Sequence, residues 1–190
     1  MKATSGAKLK AGAAFAVFAA ILVVLAALPS ATQQVPSPRD VVAPATFVSL
    51  DPVGRGSQFQ IAVVAKIRSG FHVNAREKSE DYLIATDLRT DVPAGFQGGE
   101  VVYPKGELHS FTFSKKPLNV YEGTITLRLP ITALPNAPLG VQHIPLKLRY
   151  QACSTEICLP PVTVALDAVV NVAASGADSK VVHPEVFRQK

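Results

Sequence analysis

The chain has 190 residues, 48% of them hydrophobic, with nineteen Lys and Arg against fourteen Asp and Glu, a size and composition that suit one domain with a real core rather than two. Lys2, Lys8 and Lys10 all precede the first long apolar run, so the rest of the chain holds sixteen basic and fourteen acidic residues, a net of +2. With no Lys/Arg cluster and no basic stripe interleaved with aromatics, nucleic acid is excluded as a partner despite a pI near 9.3.

After the three lysines, Ala11 to Leu28 (AGAAFAVFAAILVVLAAL) is uncharged, and Pro29, Ser30 and Ala31 follow with the small residues of a cleavage region. The pattern is that of an export signal. A run of this length is also just long enough to cross a bilayer as a helix, so residues 1–31 are read as a signal peptide or an N-terminal membrane anchor. Either one delivers the remainder outside the cytoplasm, to a compartment where a disulfide persists. Residues 32–43 (TQQVPSPRDVVA) are polar and Pro-bearing, the composition of a linker, and folded sequence is expected over 44–173.

From there the pattern has period two. Phe59, Ile61, Val63, Ala65 and Ile67 alternate with Gln60, Ala62, Val64 and Lys66; Ile125, Leu127, Leu129 and Ile131 alternate with Thr126, Arg128 and Pro130. Further strands are expected at Phe47 to Leu50, Phe71 to Ala75, Tyr82 to Leu88, Glu100 to Tyr103, Ile144 to Ala152 and Val162 to Val172, divided by turn signals such as Arg68-Ser69-Gly70 and Pro93-Ala94-Gly95. About eight strands without an amphipathic helix predict an all-β fold, an immunoglobulin-like antiparallel sandwich. Pro130 and Pro145 inside strand patterns predict edge positions or bulges, because proline donates no ladder hydrogen bond. Residues 174–190, beginning AASGADSK, are expected to be a flexible tail.

No GxGxxG, P-loop, GxSxG or HExxH is present. His72, His109, His143 and His183 are scattered, and none stands at metal-ligand spacing from another or from a cysteine; each reads as an ordinary strand or surface residue. Met1 is the sole methionine, which rules out a thioether copper site. The remaining chemistry lies in RYQACSTEICLPP, residues 149 to 161, which holds the only two cysteines, Cys153 and Cys158. In a small exported β-domain such a pair is commonly a staple. By the chain-entropy model a bridge across so short a loop contributes about 2 kcal/mol, against roughly 4 for one that ties distant strands. Parity also speaks against a core staple: Ile144, Leu146, Leu148, Tyr150 and Ala152 share one strand face, which puts Cys153 on the other with Lys147 and Arg149. Those cations favour a thiolate and Glu156 opposes them. A structural hairpin disulfide in a non-enzymatic binding module and a redox pair both remain open on these grounds, as does, more faintly, a chaperone-like domain with an exposed strand edge.

The segment Tyr150-Gln151-x-Cys153, the short loop to Cys158 and Pro160-Pro161 resemble the N-terminal periplasmic domain of the thiol:disulfide interchange protein DsbD. Gly70-Phe71-His72-Val73-Asn74, Tyr82-Leu83-Ile84 with Thr86, Tyr103-Pro104 and Val120-Tyr121-Glu122-Gly123 support the resemblance, which spans roughly residues 45–172. It implies an immunoglobulin-like domain in which Cys153 and Cys158 are redox-active and exchange electrons with thioredoxin-like periplasmic proteins. No metal or organic cofactor is needed, because two sulfurs carry both electrons. Family precedent makes Cys158 the cysteine linked to partners, with Tyr150, Gln151, Pro160 and Pro161 around the pair. It also implies an aromatic shield on a cap loop, here Phe113 or Phe111, with Phe113 favoured by its distance from Tyr121. His109, Ser110, Thr112 and Ser114 stand where family members carry acids beside the shield, and Leu159 stands where an aromatic is often found. The full-length protein of the family continues into a membrane domain and a thioredoxin-like domain; a chain ending at Lys190 is expected to take electrons from a separate membrane donor.

Overall fold

Alternating apolar side chains need two layers to bury them, and two layers form. The computed structural model describes residues 35–188; the expected leader lies outside them. In chain order the strands are β1 (Val42–Val48), β2 (Leu50–Asp51), β3 (Val53–Gly54), β4 (Gln58–Ile67), β5 (His72–Asn74), β6 (Asp87–Thr90), β7 (Phe96–Gly98), β8 (Glu107–His109), β9 (Leu118–Tyr121), β10 (Thr124–Ala133), β11 (Gly140–Tyr150), β12 (Ala152–Cys153), β13 (Val162–Ala173) and β14 (Lys180–Val181), followed by one helical turn, α1 (Pro184–Phe187). One sheet has the order β1-β4-β10-β7 and the other β3-β13-β11-β6. Pairing is antiparallel in both except where β3 joins β13.

Phe59, Ile61, Val63, Ala65 and Ile67 of β4 and Ile125, Leu127, Leu129, Ile131 and Ala133 of β10 are buried. They form one apolar cluster with Ile144, Leu146, Leu148 and Tyr150 of β11 and Ala168, Val170 and Val172 of β13. This is the immunoglobulin-like sandwich the alternation predicts. Several strands depart from their expected bounds. Of the run from Tyr82 to Leu88 only its end is strand, Val102 makes a lone bridge to Arg128, and the short strands β8 and β9 carry too few residues to show a period.

Neither proline lies on an edge. Pro130 is in β10, between β4 and β7, and Pro145 is in β11, between β13 and β6. Each sits one residue beyond the outer strand's pairing, which begins at Ile131 and at Leu146. The Pro130 carbonyl accepts from Gly99 N at 2.8 Å and the Pro145 carbonyl from Thr90 Oγ1 at 2.8 Å. A strand residue's N and O point to the same side, so the missing N–H of each proline falls where no outer strand needs it.

The fold also begins earlier and ends later than composition suggests. A 3-10 turn at Pro38–Asp40 precedes the buried Val41 and Val42, and the Tyr150 hydroxyl donates to the Pro38 carbonyl at 2.9 Å, so part of the expected linker is structural. Residues 180–188 are no loose tail. β14 pairs with β2, Phe47 meets the His183 ring edge-on at 5.1 Å, and an Arg128 Nη donates to the carbonyls of Val186 and Arg188, both at 3.0 Å. Backbone groups make most of these contacts, and composition does not report them.

A third sheet, β12-β5-β9-β8, is built from the chain as it leaves the sandwich strands. β5 follows β4 through the turn Arg68 to Phe71, where Gly70 takes φ +81°, a conformation that favours glycine. β9 leads into β10, and β12 follows β11 across Gln151.

Candidate redox site

Continuing the β11 alternation places Cys153 among solvent-facing Lys147 and Arg149; the structure places it in the interior, 1% exposed. The strand breaks at Gln151, and Ala152 and Cys153 change partners, pairing with Val73 and His72 of β5 instead of β13. Both residues are therefore buried, and face parity does not carry across the break. Lys147, on the solvent face of β11, pairs with Asp91 at 2.9 Å.

Cys153 and Cys158 form a disulfide with S–S 2.02 Å and Cα atoms 4.0 Å apart, and face each other as an isolated antiparallel bridge. Ser154 shapes the turn between them. Its N–H donates to the Ile157 carbonyl at 2.8 Å, and its hydroxyl accepts from the amides of Glu156 and Ile157 at 3.1 and 3.2 Å. The returning strand is tied back by Leu159 N to the Ala152 carbonyl at 2.8 Å and by Gln151 Nε2 to the Leu159 carbonyl at 3.3 Å. The Leu159 side chain is buried in the main core, so an aliphatic anchor stands where an aromatic is often found. Pro160 and Pro161 are exposed and offer no N–H, and pairing resumes at Val162. The outcome is asymmetric: Cys153 is buried and Cys158 is exposed.

His72 stands directly opposite Cys153 in the β5–β12 register, and directly opposed residues of an antiparallel pair share a face. It is 2% exposed, and its Nε2 is buried without a hydrogen-bond partner. Burial, reinforced by the nearby His109, lowers its pKa to about 4, so the ring is neutral at neutral pH. Phe111 stacks on His72 with ring centroids 4.1 Å apart, and Phe113 stacks on Phe111 at 5.3 Å. The rings form a ladder from interior to solvent. Phe111 rests on Leu83, Leu118 and Val120, whereas Phe113 is 43% exposed, so the ring favoured by spacing is the outer one. Where acids were missing by sequence, His109 brings them: its two nitrogens lie 3.4 Å from Glu107 and 3.3 Å from Glu122.

Tyr150 points its ring into the sandwich core and its hydroxyl to Pro38, so it supports the strand that leads to the cysteines. Burial raises its pKa. Thr86 and Asn74 clasp β5 to the loop that carries Leu83: Thr86 Oγ1 donates to the Asn74 carbonyl at 2.7 Å and Asn74 Nδ2 to the Ile84 carbonyl at 3.1 Å. His72 is the residue that sequence reasoning passed over. Its one sequence signal was membership of the Gly70–Asn74 segment, because the turn before it resets the β4 alternation. Among the described residues no group of three or more His, Cys, Asp and Glu could hold a metal ion, and no helix is long and apolar enough to cross a membrane.

The model of the family described as thiol:disulfide interchange protein DsbD, N-terminal, matches residues 39–169. Among solved structures, the reduced DsbD N-terminal domain of Neisseria meningitidis is similar at 22% identity and TM-score 0.45, covering 77% of this chain and 94% of that one. The N-terminal periplasmic domain of ScsB from Proteus mirabilis is similar at 10% identity and TM-score 0.49, covering 72% of this chain and 49% of that one. No curated protein sequence matches. The family match runs from the turn that receives the Tyr150 hydroxyl to the last strand of the sandwich and takes in both cysteines, and on that match the chain belongs to the family of DsbD N-terminal domains.

Proposed function

We propose that this domain works outside the cytoplasm as a carrier of electrons by thiol–disulfide exchange, with Cys153 and Cys158 as its redox pair and thioredoxin-like proteins as its partners. The observation that carries the reading is the asymmetry of the bridge, one cysteine buried and the other exposed on a short hairpin, in a member of a thiol:disulfide interchange family. An incoming thiolate can approach only a sulfur it can reach, which makes Cys158 the site of the mixed disulfide and Cys153 the sulfur released from it or closing on it. Phe111 and Phe113 form the shield that limits access by stray thiols. The N-terminal segment exports the domain or tethers it to the membrane, and a membrane electron donor reduces the pair again.

The test is the reduction potential of the purified full-length protein, equilibrated with a thioredoxin-like protein of known potential and quenched in acid. A value between about −180 and −270 mV, with exchange in seconds, is expected of a carrier. A value below about −300 mV, with exchange over hours, marks a structural staple and overturns the reading.

A further inference from the structure

We infer that His72 is the positioning residue for Cys153: its Nε2 is the hydrogen-bond partner that the buried sulfur takes when the disulfide opens. The inference rests on the exchange reading above and adds to it a residue outside the cysteine hairpin. Three observations converge on it. His72 and Cys153 are directly paired across β5 and β12. The imidazole is held in place by the Phe111 ring at 4.1 Å, so it is not free to swing toward solvent. Its Nε2 is buried and unpaired while the disulfide is closed.

A polar atom left unpaired at that depth is costly, and buried polar groups are paired in the great majority of cases. A disulfide sulfur carries no proton and accepts hydrogen bonds poorly, so the closed bridge gives the ring nothing. Opening it does. When a partner thiolate attacks Cys158 Sγ, the S–S bond breaks, its electron pair leaves on Cys153 Sγ, and a Cys158–partner disulfide forms. The partner's second thiolate then attacks the partner's own sulfur in that bond and releases Cys158 as a thiolate. The partner departs as a disulfide, two electrons have entered the domain, and its two thiolates take up two protons from solvent. Cys158 meets water directly. Cys153 emerges inside the protein, and a neutral imidazole can meet its sulfur in either state, donating N–H to a thiolate or accepting S–H from a thiol. In the opposite direction the same contact aims Cys153 Sγ at the mixed disulfide.

The titratable groups facing the ring are Cys153 from β12 and, across Phe111, His109 of β8 with its partners Glu107 and Glu122. None of these three bonds Nε2 while the disulfide is closed.

The experiment begins with the unaltered full-length protein, labelled with 15N-histidine and observed oxidised and then reduced. The Nε2 resonance of His72 is expected to move on reduction; a resonance that stays in place overturns the proposal without any variant. Redox equilibria with glutathione are then compared for the wild type, His72→Leu and His72→Gln. The leucine variant is expected to shift about tenfold toward the disulfide, about 30 mV more negative, while glutamine, which keeps a donor at similar reach, restores most of the difference. In a Cys158→Ser background, the leucine variant is expected to move Cys153 alkylation to higher pH. A leucine variant within about twofold of the wild type overturns the proposal. Failure of the exchange reading is distinguishable, since it appears earlier as a wild-type bridge that thioredoxin-like dithiols do not reduce.

Discussion

The sandwich and the third sheet are built from different strands of one chain and by different rules. In the sandwich, β10, β11 and β13 keep the alternation, β4 departs from it at the buried Ala62, and the inward side chains form a cluster that is apolar apart from the Tyr150 hydroxyl. In the third sheet the strands are two to four residues long, all three residues of β5 are buried, and the polar residues buried among the described ones, His72, Asn74 and Thr86, gather on β5 and the loop clasped to it. Apolar burial supplies stability without direction. Buried polar groups cost stability unless they are paired, and they cluster where chemistry needs them. The division of labour follows: one region holds the fold, and the other spends part of that stability on a disulfide set beside an imidazole.

Mutations and conditions that act on one region alone test this division. The largest effect belongs to the body: Leu129→Ala is expected to lower stability by about 2–5 kcal/mol in urea unfolding while leaving the reduction potential unchanged. A potential that moved with it would show the two regions to be coupled.

Acid acts on the end sheet through His72. Its folded pKa of about 4 lies below the unfolded value of 6.5, so between those pH values the unfolded chain binds a proton that the native protein does not. Stability from this group is complete above about pH 6.5 and falls as pH drops toward 4, by up to about 3 kcal/mol. Urea midpoints measured across that range in the wild type and in His72→Leu are expected to differ in slope; parallel curves would remove His72 as the source.

Reducing the bridge is expected to cost about 2 kcal/mol, the entropy of a short loop, and to leave the sandwich folded. Loss of the sandwich's circular dichroism on reduction would make the disulfide a structural necessity. The smallest effect separates the two phenylalanines. Phe111→Ala is expected to speed reduction by a small thiol roughly tenfold, and Phe113→Ala, the outer ring, by less than about threefold. Equal rates for the two would show that neither ring governs access.

Much of the body was legible because alternation is a local signal with a direct cause. Ile125, Leu127, Leu129 and Ile131 announced the buried face of β10, and Ile144, Leu146, Leu148 and Tyr150 that of β11. The cysteine pair was legible from its rarity and spacing. The burial of Cys153 was not, because parity assumes an unbroken strand and the chain changes partners at Gln151. Nor was the docking of residues 180–188, where backbone carbonyls and a two-residue strand do what apolar periodicity does elsewhere. Phe113 and Phe111 could be nominated but not ranked, since loop spacing does not say which ring faces inward.

What the sequence determined by itself is the class of the molecule: a β-sandwich whose one pair of sulfurs closes a short hairpin, for which near-neighbour periodicity and cysteine count suffice. Which sulfur is buried, which ring lies innermost and which histidine stands across from Cys153 were decided only by the tertiary structure, because each depends on strands far apart in the chain meeting in one particular register.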